Sequence, residues 1–245
     1  MKKVLAFLFT FVLCLGLFGC AGSIANGEDY TIDKEIVIDK EITVEESKKA
    51  FDELEEGEEA KYVSCDFQLK QSFMGQSMTM NMKMTLVTDG SLINGKMVAT
   101  VASGATNISY NLYIKDNYFL LDLGAMGGKM KAEIPNDEEI DVDDLGGYDF
   151  AEIIEEFFED ADELSENVKT GYDSKGCLVL DYAQASRKAR FVFDKAYPVY
   201  FYASEGEGQV FEMKFSYDKV DVEFPEDLKL DDYKTVSWDE LQDQK

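Results

Sequence analysis

The sequence predicts an α+β domain: a strongly curved antiparallel sheet of about ten strands, bent as a half-open barrel around two helices and preceded by a short targeting segment. Three observations lead there. Apolar residues recur at every second position in runs broken by turn signals. The spacing between runs is too short for the crossover of a dozen or more residues that a parallel pair requires. Two segments carry helical-period apolar stripes that must be buried against something. In a two-sheet sandwich the sheets would cover each other and leave those stripes without a partner, so one bent sheet fits better.

Residues 1–19 read as a targeting segment. Lys2 and Lys3 form a positive start, and 4–18 is an apolar run of h-region length. A spanning helix needs roughly twenty apolar residues. The run ends in Leu17-Phe18-Gly19-Cys20, which resembles a bacterial lipobox: an aliphatic residue, a bulky Phe18 where a smaller side chain is usual, a small residue, then the cysteine. The resemblance implies that Cys20 receives a diacylglyceryl group, becomes the mature N-terminus and anchors the chain on the extracytoplasmic side of the cell membrane. An ordinary secretory signal with an incidental cysteine is the other reading.

The charge bounds what the chain binds. There are 24 Lys+Arg against 50 Asp+Glu, a net charge of −26. Without Lys2 and Lys3, 22 basic residues face 50 acidic ones, and the net charge is −28. Such a surface repels nucleic acid and anionic headgroups alike, so the domain is expected to stand off the membrane with no nucleic-acid partner. The chain has no His, which excludes a Ser-His-Asp triad, a Cys-His pair, an HExxH zinc site and a two-His iron site.

Residues 20–42 read as a lipid-anchored tether, and 43–245 as a single domain. The tether repeats itself, Asp33-Lys34-Glu35-Ile36-Val37-Ile38 being followed by Asp39-Lys40-Glu41-Ile42-Thr43-Val44. Two copies are too few for a solenoid, and the segment reads as extended and partly ordered. Thr43-Val44-Glu45-Glu46 has the capping-box form and starts the first helix, with Val44, Phe51 and Leu54 on one face and Gly57 as a stop.

Strands follow. Val63, Cys65, Phe67 and Leu69 alternate with polar residues, and so do Met78, Met80, Met82, Met84 and Leu86 after a turn at Gly75-Gln76-Ser77. Further strands read at 96–103, 108–115, 118–123 and 129–134, separated by Asp89-Gly90, Asp116-Asn117 and Gly127-Gly128. An acidic loop, 136–147, leads to a second helix over 150–164, whose stripe includes Phe157 and Phe158. Strands resume at 177–182, 189–193, 199–203, 210–217 and 220–224. Ser237-Trp238-Asp239-Glu240 has the form of a last helical cap.

A lipobox, an N-terminal helix, the Met78-Thr79-Met80-Asn81-Met82-Lys83-Met84 run and a mid-chain helix together resemble the half-open β-barrel group. That group includes the Lol lipoprotein carriers and the LppX/LprG-type lipoproteins. The likeness covers roughly 44–225 and is one of pattern and order. It implies a sheet curved around helices and enclosing an apolar cavity for acyl chains. It supplies no catalytic residue.

Candidate sites divide as follows. Four thioethers on one strand face suit a cavity for ligands of varied shape, plain core filling, or Cu(I). Asp141, Asp143, Gly146, Asp149 and Glu152 match an EF-hand-like register, but Leu145 stands where an oxygen is needed. Gly90-Ser91-Leu92-Ile93-Asn94-Gly95-Lys96-Met97 resembles a phosphate-binding loop, yet Met97 replaces the Mg²⁺-holding hydroxyl and a strand follows. A carboxylate-pair glycosidase has no two acids singled out among fifty. Cys65 and Cys177 fit either a disulfide or two buried free thiols.

The expected function is non-enzymatic and needs no cofactor or metal: an anchored envelope lipoprotein holding a lipid or amphiphile between sheet and helix. The expected lining is Phe67, Met80, Met82, Met84, Tyr110, Leu112, Phe157, Phe158, Phe211, Met213 and Phe215. The alternative is a structural or interaction lipoprotein with a filled core, offering its acidic surface to a protein or wall partner that the sequence does not name.

Overall fold

The computed structural model describes residues 35–53, 60–73, 76–89, 92–104, 106–124, 127–135, 157–158, 165–184, 187–195, 197–205 and 208–238. They form a 13-stranded sheet, and this corrects the expectation of about ten strands wrapped around two helices. The strands are β1 (Lys40–Ile42), β2 (Tyr62–Phe73), β3 (Gln76–Asp89), β4 (Leu92–Ser103), β5 (Thr106–Lys115), β6 (Tyr118–Asp122) and β7 (Lys129–Glu133). They continue with β8 (Val168–Tyr172), β9 (Leu178–Gln184), β10 (Arg187–Asp194), β11 (Tyr197–Glu205), β12 (Gln209–Ser216) and β13 (Lys234–Thr235).

The order across the sheet is β1-β8-β9-β10-β11-β12-β2-β3-β4-β5-β6-β7-β13. Two antiparallel meanders, β2 to β7 and β8 to β12, join where β12 pairs β2. The sheet does not close, and it is mixed because β13 runs parallel to β7. Among the described residues the one α-helix is α1 (Val44–Asp52), which starts as the capping box predicts. The Glu46 amide donates to Thr43 Oγ1 at 3.1 Å, and the Thr43 amide donates to Glu46 Oε2 at 2.8 Å. The helix ends at Glu53; the predicted stop at Gly57 lies outside the described residues. So does the 150–164 helix, except for Phe157 and Phe158, whose backbone is helical.

Strand pairing settles the near-match to a phosphate-binding loop. Asp89 pairs Leu92 in register, so Leu92 already belongs to a strand where that loop would need a helix to follow. The Asp116-Asn117 turn is a two-residue hairpin with φ of 53° and 62°, as Asp and Asn tolerate.

The first and last described segments each wrap around a sheet edge. Ile36 and Ile38 pack on one face with Val179, Val192 and Tyr200. The chain then pairs as β1, and α1 lies on the opposite face, where Val44 and Phe51 meet Leu178, Leu180, Phe191 and Phe193. At the far edge, the segment predicted as a strand at 220–224 is not one. It straps the outer face instead, with Phe224, Leu228 and Leu230 on Tyr113, Leu120 and Tyr233. Lys96 Nζ donates to the Glu223 carbonyl at 2.9 Å, and Lys131 Nζ to the Leu230 carbonyl at 2.8 Å. After β13 the chain reaches the other face, where Val236 and Trp238 join the main core. Short β1 and β13 thus cover edges that would otherwise template foreign strands.

Candidate ligand-binding face

Period-two alternation puts the apolar side chains of each strand on one face, and strand register aligns them into rows. One row runs Ile42, Thr170, Leu180, Phe191, Phe201, Met213, Phe67, Met82, Ala99, Tyr110, from β1 to β5. A neighbouring row runs Phe215, Cys65, Met84, Met97, Leu112, Leu121. The opposite face is polar at its centre: Gln68 donates to Asn81 at 2.7 Å, and Lys83 sits 3.6 Å from Asp66.

Nine of the predicted lining residues meet in one cluster. Phe67, Met80, Met82, Met84, Tyr110, Leu112 and Met213 are buried in it, with Met80 fully inaccessible. Phe211 and Phe215 are half-buried against it. Phe157 and Phe158 belong to a second cluster beside α1. Stacked rings join the two. Phe158 lies 5.9 Å from Phe51 and 5.5 Å from Phe157, which lies 5.9 Å from Phe191. From Phe191 the chain of rings continues to Phe201 at 4.7 Å, Phe211 at 5.0 Å and Phe67 at 5.1 Å. Tilted and edge-on ring pairs of this kind add about 0.5–1.5 kcal/mol each beyond their burial.

The strands β7 and β8 stand second from opposite edges of the sheet. Phe157 and Phe158 fall between them in sequence, and they touch the apolar face at Phe191.

The expected lining left out several contributors. Met97, Phe119, Phe51 and Trp238 belong to the clusters, and so do Phe191 and Phe201. The β10 stretch Phe191-Val192-Phe193 is buried on both sides, so it has no period to reveal a face.

The face is dry. Burial is the first cause that pushes the Cys65 thiol far up, with Asp66 adding to it, and burial also raises the Tyr110 phenol. Cys65 is therefore an inert thiol. Cys65 and Cys177 are free, and they belong to clusters on opposite faces of the sheet.

A gap opens on this face among the described residues. It measures about 180 Å³, is partly open to solvent, and is lined by Met84, Leu86, Gly95, Met97, Leu112 and Ile114 among others. Gly95 maintains it, because a Cβ there would lie 3.1 Å from Leu86 Cδ1 and 3.3 Å from Ile114 Cδ1. Among the described residues, no three His, Cys, Asp or Glu side chains converge as metal ligands, and no helix is long and apolar enough to cross a membrane. The EF-hand-like register at 141–152 and the expected lipidation site Cys20 lie outside the described residues.

No family model matches the chain, and no curated protein matches it. Among solved structures it has a weak likeness to a DUF1329 family protein from Desulfovibrio piger ATCC 29098. The TM-score is 0.29 at 11% identity, over 71% of this chain and 91% of that one.

Proposed function

We propose that the chain is a cell-envelope lipoprotein, anchored through Cys20, that binds a lipid or other amphiphile on the apolar face of its sheet. The observation that carries this reading is the row from Ile42 to Tyr110, ten side chains on ten strands that are apolar except for Thr170. Met80, Met82, Met84 and Met97 supply side chains that reshape without strong rotamer cost, as a surface for varied acyl chains requires. The driving force is apolar burial, and no bond is made or broken.

Pockets for drug-sized ligands run to roughly 300–1,000 Å³, and the gap beside Gly95, much of it open solvent, has no room for such a molecule. Uptake therefore demands movement: Phe157 and Phe158 lift, and the methionines yield their places to the ligand.

The small gap also favours a second reading, a structural or interaction lipoprotein whose core is permanently filled and whose acidic surface meets a cationic partner. Native mass spectrometry of residues 21–245, purified without detergent, separates the two. A stoichiometric lipid adduct is expected. A mass that stays bare after incubation with envelope lipid extract would leave the filled-core reading.

A further inference from the structure

The C-terminal hook brings one polar group onto the apolar face. Tyr233 packs on the outer face, β13 pairs along the edge of β7, and Trp238 lands in the main core. Its ring stands edge-on to Phe119, centroids 6.0 Å apart at 83°. The indole Nε1 is buried and has no hydrogen-bond partner. An orphaned buried donor is costly and uncommon in a folded protein.

We propose that Trp238 Nε1 is the donor that receives the carbonyl oxygen of an acyl ester or amide bound on this face, an inference that rests on the amphiphile reading above. An indole N–H only donates, so its partner must be an acceptor. A lone water needs two or more polar partners, and Trp238 packs here with Phe119 and the apolar cluster. An acceptor carried on an apolar body fits the place. The donor is neutral, and Asp239 and Glu240 follow it in the chain, so a neutral ester or amide oxygen suits it better than a carboxylate.

The hydrocarbon has a path from that point. Phe119 pairs Ile114, and Ile114 lines the gap that Gly95 leaves beside Leu86. Met84 and Met97 line the same gap, and the face continues to Phe67 on β2. From β6 to β2 is four strand spacings, about 19 Å, the reach of a long acyl chain. The carbonyl is held at the C-terminal hook, and the tail lies across the methionines toward the aromatic ladder.

Two probes of equal chain length test this on residues 21–245: 1-palmitoyl-lysophosphatidylcholine, which has an ester carbonyl, and hexadecylphosphocholine, which has none. Trp238 is the chain's single tryptophan, so its emission reports the site directly. Trp238→Phe keeps the ring contact with Phe119 and removes the donor, and because it also removes that emission, the affinities of wild type and variant are compared by isothermal titration calorimetry. It is expected to weaken the ester probe about tenfold and to leave the other within twofold. Equal loss for both probes, or loss for neither, overturns the donor assignment while the amphiphile reading stands. Failure of the wild-type protein to bind either probe overturns both.

Should the variant not fold, wild-type emission decides. Lysophosphatidylcholine brominated near the ester must quench Trp238 more strongly than the same lipid brominated near the methyl end. The reverse order, or no difference, overturns the assignment.

Discussion

Arg190 grips Asp181 with two parallel hydrogen bonds, Nε to Oδ1 and Nη2 to Oδ2, each 2.6 Å long. The side chains are 11% and 18% exposed, and Arg190 Nη1 donates to the Ile36 carbonyl at 2.7 Å. One guanidinium thus ties the segment that precedes β1 to the middle of the second meander. Fork geometry and partial burial make such a pair stronger than a surface ion pair.

Arg190→Ala leaves Asp181 without its partner and frees Ile36. A loss of about 2–4 kcal/mol is expected, near the range for breaking a buried pair. Urea unfolding measures the loss. Hydrogen exchange at the Asp39 amide, which donates to the Tyr172 carbonyl at 2.9 Å, should speed up more than exchange in β3. Unchanged protection at Asp39 would show that Arg190 does not hold this segment.

Gly171 in β8 lets β1 approach. A Cβ there would collide with the Lys40 carbonyl oxygen and with Ile38 Cγ2. Gly171→Val should therefore detach β1 while β9 to β12 stay paired. The readout is limited proteolysis, expected to cut before α1 in the variant alone. A wild-type digestion pattern would mean that the strand pair accommodates the branched side chain.

Tyr233 predicts an alkaline transition of the C-terminal strap. Burial first, and Asp122 next, push its phenol up to about 12. Its ordinary value is 10.0, so the folded state keeps the proton that the unfolded chain releases. The contribution of Tyr233 is complete below pH 10 and falls as pH rises from about 10 to 12. Tyr233→Phe should keep more of its stability across that interval than wild type does, measured by tyrosinate absorbance and denaturant midpoints. Parallel loss in both proteins would count against the linkage.

Phe157 and Phe158 predict how ligand is retained. Polar replacement of both, Phe157→Asn with Phe158→Asn, removes the ring contacts to Phe191 and Phe51. Under the amphiphile reading, release of a bound fluorescent acyl probe should speed up at least fivefold, with β2 to β5 intact by circular dichroism. Equal release rates would remove these two rings from any role as a lid.

The sequence made the two long hairpin series legible because a half-buried strand writes its own pattern. Met80, Met82 and Met84 were readable as one face since side chains alternate with period two, and pairing placed all three in the core as read. Thr43 and Glu46 were equally legible, because a cap is a contact between residues three apart. The 220–224 run alternates too, yet it makes no ladder. Phe224 is apolar because it packs on Tyr113, at a centroid distance of 6.2 Å, and alternation cannot distinguish a strap from a strand. Strands as short as β1 and β13 have too few residues to show a period at all.

What the chain alone determined, then, is local: the strand faces, the helix cap, the absent histidines and the strongly acidic charge. Only the tertiary structure decided that β12 pairs β2, that β7 and β8 stand near opposite edges of the sheet, and that β1 and β13 border them. Those contacts join residues far apart in sequence. Their free energy comes from matching whole surfaces, which leave no signature in any single stretch of residues. The meeting of Trp238 with Phe119, and of Phe157 with Phe191, belongs to that second class.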